Sequence, residues 1–529
     1  MLSLRQISYI HPNKDILFEG VDLSLGARDK VALIGQNGSG KSTLLKIIAG
    51  ELKASSGSVQ VQSSPYFIPQ IYGQYDEYTV AEALQIDKKV KALKEILEGK
   101  VSEENLECLN DDWTIESRFR EALDHWALHN VGLEDRLSQL SGGQKVKVFL
   151  AGIQIHEPEL ILMDEPSNHL DGSARKILYE YIRHSSKTIV LVSHDRTLLN
   201  LLHTVCELGK EGLKTYGGNY AFYAEQREIE RNALNQDIQS KEKTLRKAKV
   251  KERESAERQQ KLDSRGKKKQ EKAGVARIMM NTLQNKAENS SARMKTVHSE
   301  KVGHIAEELR DLRANQSSID KMKLALGNSQ LHQGKKIFEA KGLNLILNGR
   351  KLWQENLDLF IESGERIAIK GANGTGKTSL FRVLLGKIAP SFGHIYRAES
   401  KSVFIDQDYS LIDNTVSVYT QAQRFNDSAL LEHEVKIRLD NFLFSKNDWA
   451  KPCAALSGGE RMRLLLCGLS ISQSPPDIVM FDEPTNNLDI QNIEILSAAI
   501  NAYKGTLMVV SHDEAFLEEI GIEREIELT

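Results

Sequence analysis

Residues 30–43 read KVALIGQNGSGKST, and residues 366–379 read RIAIKGANGTGKTS. Each begins with a short apolar run that closes on a glycine. A run of that length, bounded by glycine, reads as a buried strand. A loop follows, and then helical patterns from Ser42 to Ala49 and from Thr378 to Leu385. Glycines at those places let successive backbone N–H groups turn toward one point, and the helix start adds the positive end of its dipole. The result is a cradle for phosphate. Its residues are Gly35, Asn37, Gly38, Gly40, Lys41, Ser42 and Thr43 in one copy, and Gly371, Asn373, Gly374, Gly376, Lys377, Thr378 and Ser379 in the other. Lys41 and Lys377 would reach the outer phosphates, and the hydroxyls of Ser42 and Thr378 would hold Mg²⁺.

Working outward, the chain is written twice. LSGGQ at 140–144 recurs as LSGGE at 456–460, and LILMDEPSNHLD at 160–171 as IVMFDEPTNNLD at 478–489. LVSHD at 191–195 recurs as VVSHD at 509–513. Glu165 to His194 spans 29 positions, and so does Glu483 to His512. Lys41 to Ser141 spans 100 positions against 80 from Lys377 to Ser457, so the first copy carries an insertion there. Apolar runs alternate with helical patterns in both copies. This predicts α/β domains, each with a parallel sheet covered on both faces.

Asp164 and Asp482 end apolar strands, where a carboxylate can orient Mg²⁺ and its waters. Glu165 and Glu483 follow, and strand alternation turns them the other way, toward an attacking water. His194 and His512, placed identically, are candidates for contact with the γ-phosphate. Ser141, Gly142 and Gly143, like Ser457, Gly458 and Gly459, read as capped helix starts able to meet an anion.

Phosphate loop, LSGG, DEP and SHD in this order resemble an ATP-binding-cassette ATPase. The resemblance implies two cassettes facing head to tail, with ATP between the phosphate loop of one and the LSGG of the other. Lys41 would then share a nucleotide with Ser457, and Lys377 with Ser141. It also implies that Gln70 and Gln407 sense Mg²⁺ and the γ-phosphate, and that Asp171 and Asp489 communicate across the pair. For stacking on adenine, Tyr9 and His11 are both open in the first copy. The matching stretch of the second, LNLILNGRK, has no aromatic residue, and Asn487 stands where His is usual in such proteins.

The remaining stretch differs in kind. The chain has 529 residues and a formal net charge of −3. From Lys241 to Arg277 there are 15 Lys+Arg and 6 Asp+Glu, a balance of +9 that leaves −12 for the rest. Leu234, Ile238 and Leu245 form one helical stripe, and Ile305, Leu309 and Leu312 another. They predict two long helices, the first over about 222–262, joined by a basic tip near 264–276 with Gly266 and Gly274 as breakers. Such a block suits an RNA backbone. With no aromatic in the tip, base stacking is not indicated. Residues 85–130 read as only modestly helical, with no helical arm.

The four cysteines have neither zinc nor disulfide spacing, which fits a reducing cytoplasm. The start, MLSLRQISYIHPNKD, is not a secretory signal, and no run is apolar enough to span a membrane.

Twin cassettes, YGGNY at 216–220 and the basic linker are similar to the ABC-F family. That resemblance implies a cytoplasmic, monomeric ATPase using ATP and Mg²⁺ and meeting the ribosome, both rRNA and peptidyl-tRNA, as a translation factor or an antibiotic-protection protein. The expected domains are 1–221, a linker 222–335, and 336–529. The rival readings are an ATPase subunit for separate transmembrane chains and a DNA-maintenance ATPase.

Overall fold

The computed structural model describes residues 1–270, 296, 297, 299–313, 329, 331–347, 349–427, 429–486 and 488–528. Asn487, Gly274 and the tip beyond residue 270 lie outside the described residues. By its internal packing the chain divides into one unit of residues 1–223 and 322–529, and a second of residues 224–321.

The first unit contains two mixed α/β halves. In the first, the central sheet runs Tyr66–Ile68, Leu160–Asp164, Thr188–Val192, Lys30–Ile34, Thr204–Gly209, Gly212–Tyr216. All neighbours are parallel except the last pair. In the second half the order is Ser402–Ile405, Ile478–Asp482, Thr506–Val510, Arg366–Lys370, Arg524–Glu527, all parallel. The strands Leu160–Asp164, Thr188–Val192 and their counterparts are buried at every residue, as a sheet covered on both faces requires. This order puts the Asp-Glu strand two places from the phosphate-loop strand, with the Ser-His-Asp strand between them.

The sequence patterns did not foresee a second sheet in each half. Leu2–Ile10 lies antiparallel between Ile16–Leu25 and Ser56–Val61, and Lys336–Asn344 between Leu357–Glu362 and Phe392–Arg397. Leu4, Ile7, Phe18 and Val21 from the first such sheet share a core with Leu44, Leu45 and Ile48 of the helix after the phosphate loop. Bulges within Leu2–Ile10 break the alternation that would have revealed the strand.

Residues 85–130 are more helical than expected. Helices Asp87–Leu97, Glu103–Leu109 and Ile115–His125 occupy the stretch. Short length and mixed charge hid them, yet Val90, Leu93, Leu109, Phe119 and Leu123 are all buried.

In the second unit the helix that begins at Tyr220 runs to Gln270, 51 residues, which is about 77 Å. It passes through Gly266, so that glycine is no breaker and the helix does not end near 262. One glycine costs a helix only about 1 kcal/mol. Residues 299–313 are also helical. Ile238, Ile305 and Leu309 are buried together with partly covered Leu234, Leu245 and Leu312, and Lys241–Glu308 and Arg313–Glu242 pair at 2.5 and 2.6 Å. The two apolar stripes are therefore present as expected.

Close packing links the Ser141 helix to the strand that leads to Gln70. A Cβ on Gly152 would stand 1.8 Å from the Tyr66 hydroxyl, which donates to the carbonyl of Phe149 at 2.9 Å. Tyr66 has little room to retreat, so Gly152→Ala should destabilise the chain by about 1–3 kcal/mol. Urea unfolding checks this as a lowered midpoint with an unchanged slope.

Candidate functional site

Two sites form at the carboxyl ends of the central strands. In the first, Gly40 holds φ +97° ahead of the helix Lys41–Ala49. A Cβ there would lie 2.7 Å from the Phe18 ring. In the second, Gly376 holds φ +83°, and a Cβ would lie 2.4 Å from Leu352. Only glycine suits both the dihedral and the space. The Trp353 indole N–H donates to the Thr375 carbonyl at 2.9 Å and pins the second loop to its core.

Both lysines are buried and fold back on their own loops. Lys41 Nζ donates to the carbonyls of Gly35 and Gln36 at 2.8 and 3.1 Å, and Lys377 Nζ to those of Gly371 and Ala372 at 2.7 and 3.1 Å. Burial lowers the pKa of each ammonium, while nearby carboxylates oppose the shift: Glu165, Asp489 and Asp164 at Lys41, and Glu483, Asp482 and Asp171 at Lys377. Thr378 Oγ1 donates to Asp482 Oδ2 at 2.5 Å. Burial raises the Asp164 carboxyl against an opposing hydrogen bond from Ser42. Thr43 and Ser379 follow in the first turns of their helices.

The two glutamates do not follow strand alternation as expected. Glu165 and Glu483 take left-handed φ values of +53° and +49°, immediately past the last strand residue. Their N–H groups donate to Val192 and Val510 at 2.8 Å. A non-glycine residue in that region is strained, and surrounding structure must hold it. His194 lies 3.2 Å from Glu165 and His512 3.4 Å from Glu483. Burial, with the neighbouring Asp482 charge, carries the Glu483 carboxyl up to about 7 against the pull of Arg175 and Lys377, and burial raises Glu165 in the same way. Burial, then the Lys377 and Arg175 charges, brings His512 down to about 4, and His194 is lowered likewise by burial and Lys41. A carboxyl that exchanges protons near neutrality beside a neutral imidazole is suited to general-base work.

The halves meet head to tail. Ser141, Gly142 and Gly143 of the first half line a cavity of about 280 Å³ together with Asn373, Gly374, Gln407, Glu483 and His512 of the second. Asn373 Nδ2 donates to the His169 carbonyl at 2.9 Å. Across the first loop, the Asn37 N–H donates to Asp489 Oδ2 at 3.0 Å, and Gln36 bonds Gln491 at 3.3 Å. Ser141 and Ser457 each cap their helix reciprocally, through Gln144 and Glu460. The contacts to the first loop are thus made by Asp489 and Gln491. Gly458 and Gly459 open the capped helix, and Gln70 sits exposed just past its strand. Asp171 caps its helix through Ala174 and lies near enough to His512 to bias its charge. Of the adenine candidates, Tyr9 packs against Phe18 at 6.4 Å between ring centres, while His11 stays exposed at its edge.

The donor set fits Mg²⁺. A hydroxyl and a carboxylate converge in each half, and Asp164 Oδ1 is buried with no hydrogen-bond partner among the described residues. Hard oxygens with room for waters and phosphate are what that ion takes.

The family model described as ABC transporter matches residues 18–168 and, a second time, residues 354–486. The chain belongs to this family. It is a tandem-cassette ATPase, and its full-length relatives are of the ABC-F group. The probable ATP-binding protein YbiT of Escherichia coli is 28% identical over 97% of this chain and 93% of its own length. The ribosome protection protein VmlR of Bacillus subtilis is 26% identical over 98% and 85%. Among solved structures, archaeal ribosome recycling factor aABCE1, in complex with ribosomal stalk protein aP1, covers 99% of this chain and 87% of its own at a TM-score of 0.62 and 20% identity, a likeness of fold.

Sequence reasoning missed His169 and Arg175, both lining the shared cavity. Arg175 had a signal: it lies on the helical face of buried Ala174, Leu178 and Ile182, where an apolar residue belongs. Glu165→Gln/Glu483→Gln should retain the fold and nucleotide binding and lower turnover by about 10²–10⁴-fold, as loss of a general base does. Steady-state phosphate release, beside nucleotide binding by calorimetry, checks it.

Proposed function

We propose that this ATPase is a cytoplasmic, monomeric switch that binds the ribosome when ATP closes its cassettes and modulates translation through its linker. The observation that carries this reading is a segment of +9 charge, residues 241–277, that begins on a 51-residue helix between two cassettes that each keep the Lys, Asp, Glu and His of the repeated motifs. Lys and Arg along such a rod would neutralise phosphates of rRNA or peptidyl-tRNA. The likeness over 98% of this chain to a protein named for ribosome protection supports the same direction; protection from ribosome-targeting antibiotics is one outcome such a switch would have. Among the described residues no helix is long and apolar enough to cross a membrane. The working domains are residues 1–221, 222–335 and 336–529.

In each site the glycine loop and the lysine would bind the phosphates of ATP. Ser42, Asp164 and Gln70, and Thr378, Asp482 and Gln407, would hold Mg²⁺, which when bound neutralises phosphate charge. Glu165 and Glu483 accept the proton of the attacking water. His194 and His512, neutral and within 3.2 and 3.4 Å of the glutamates, orient the water and the terminal phosphate. Ser141–Gly143 and Ser457–Gly459 supply the opposing helix starts, so hydrolysis waits on closure.

The Glu165→Gln/Glu483→Gln protein should co-sediment with ribosomes in ATP and not in ADP, and should arrest translation. Affinity should fall with salt, with a logarithmic slope of about −0.7 to −0.9 for each phosphate contacted. Lys→Gln changes across 241–269 should flatten that slope. No ribosome association in ATP at any salt concentration from about 50 to about 200 mM would defeat the proposal.

A further inference from the structure

The two sites differ in one buried cation. Arg175, on the first half's helix Gly172–His184, is 7% exposed. Its Nε donates to the Leu170 carbonyl at 3.2 Å, and its Nη1 to the carbonyl of His512, in the second half, at 3.3 Å. The same Nη1 stands 3.6 Å from Asp195 Oδ2, and the Tyr179 hydroxyl holds that carboxylate at 2.5 Å. The guanidinium is therefore fixed by one half and aimed into the site of the other. It lines the cavity with Ser141, Glu483 and His512.

Among the described residues the first site has no equivalent at the corresponding position. Arg175 is four positions after Asp171, and four positions after Asp489 stands Ile493, 1% exposed. Isoleucine has no donor for the opposite histidine's carbonyl. A buried guanidinium that has lost an acceptor is costly, so Arg175 favours the arrangement in which His512 is held near it. His512 is in turn within 3.2 Å of Lys377 Nζ and 3.4 Å of Glu483.

We propose that Arg175 is a positioning residue acting in trans: it holds His512 in place for hydrolysis at the Lys377 site only when the cassettes are closed, so that site carries a link to closure that the Lys41 site lacks. The inference rests on Glu483 and His512 being the hydrolytic pair. If that assignment is wrong, Glu483→Gln alone will leave turnover intact, which is a separate result.

The test compares Arg175→Ile, the residue type used by the other half, and Arg175→Lys in two backgrounds. With Glu165→Gln only the Lys377 site turns over. There Arg175→Ile should lower kcat by roughly tenfold or more, with KM little changed, and Arg175→Lys should restore part of it. With Glu483→Gln, the same substitutions should leave the Lys41 site within about twofold. A second measurement keeps both sites intact: photoreactive ATP is trapped with vanadate, and the label is counted on each cassette after cleavage between them. Arg175→Ile should shift the label away from the second cassette. Equal loss at both sites would mean that Arg175 only glues the halves together, and no loss at the Lys377 site would mean that it does nothing there. Either result, or an unchanged ratio of label, overturns the proposal.

Discussion

A lysine ammonium cannot be taken out of water without acceptors and counter-charge. Lys41 and Lys377 are 8% exposed, and the architecture around them follows from that fact. Each needs two loop carbonyls within bonding distance, so its glycines must take left-handed dihedrals. Each also needs carboxylates nearby. Those come from the strand two places away in the sheet, at its carboxyl end, where Asp164 or Asp482 can approach the helix start. The strained Glu165 and Glu483 complete the arrangement. Their backbone N–H groups donate to the adjacent Ser-His-Asp strand, so the turn keeps a ladder hydrogen bond despite its left-handed dihedral.

The same economy explains why the halves need each other. Asn37 and Asn373 each find a partner in the opposite half, Asp489 in one case and the His169 carbonyl in the other. Loop backbone that would otherwise rely on solvent or ligand is thereby partly satisfied across the seam. Arg196 and Glu519, paired at 2.6 Å, add a further link away from the sites. The pairing is not symmetric in detail. Serine capping is reproduced in both halves, whereas the Arg175 contact to His512 faces Ile493 in the other copy. Two copies of one fold can therefore diverge at a buried position beside the site while the Lys, Asp, Glu and His of the repeated motifs are retained in both.

Much of this was legible in the residues. Glycine spacing, apolar runs ending in acids and the repeated 29-position interval are local signals, and local backbone physics turns them into loop, strand and turn. What escaped was set by packing over distance. The strand Leu2–Ile10 is bulged, so its alternation is broken, and it is stabilised by cores it shares with residues far along the chain. The helices of 85–130 are too short to stand on periodicity alone and depend on burial of Leu93, Leu109 and Phe119. Gly266 read as a breaker because a local penalty was weighed without the long helix on its N-terminal side.

By itself the sequence determined two phosphate-binding α/β halves, the residues gathered in each, and a basic helical stretch between them. These are properties of short windows and their repetition. Only the tertiary structure decided which groups from one half complete the site of the other. That depends on where two surfaces meet, and a buried arginine declares its partner only when the opposing carbonyl is in place.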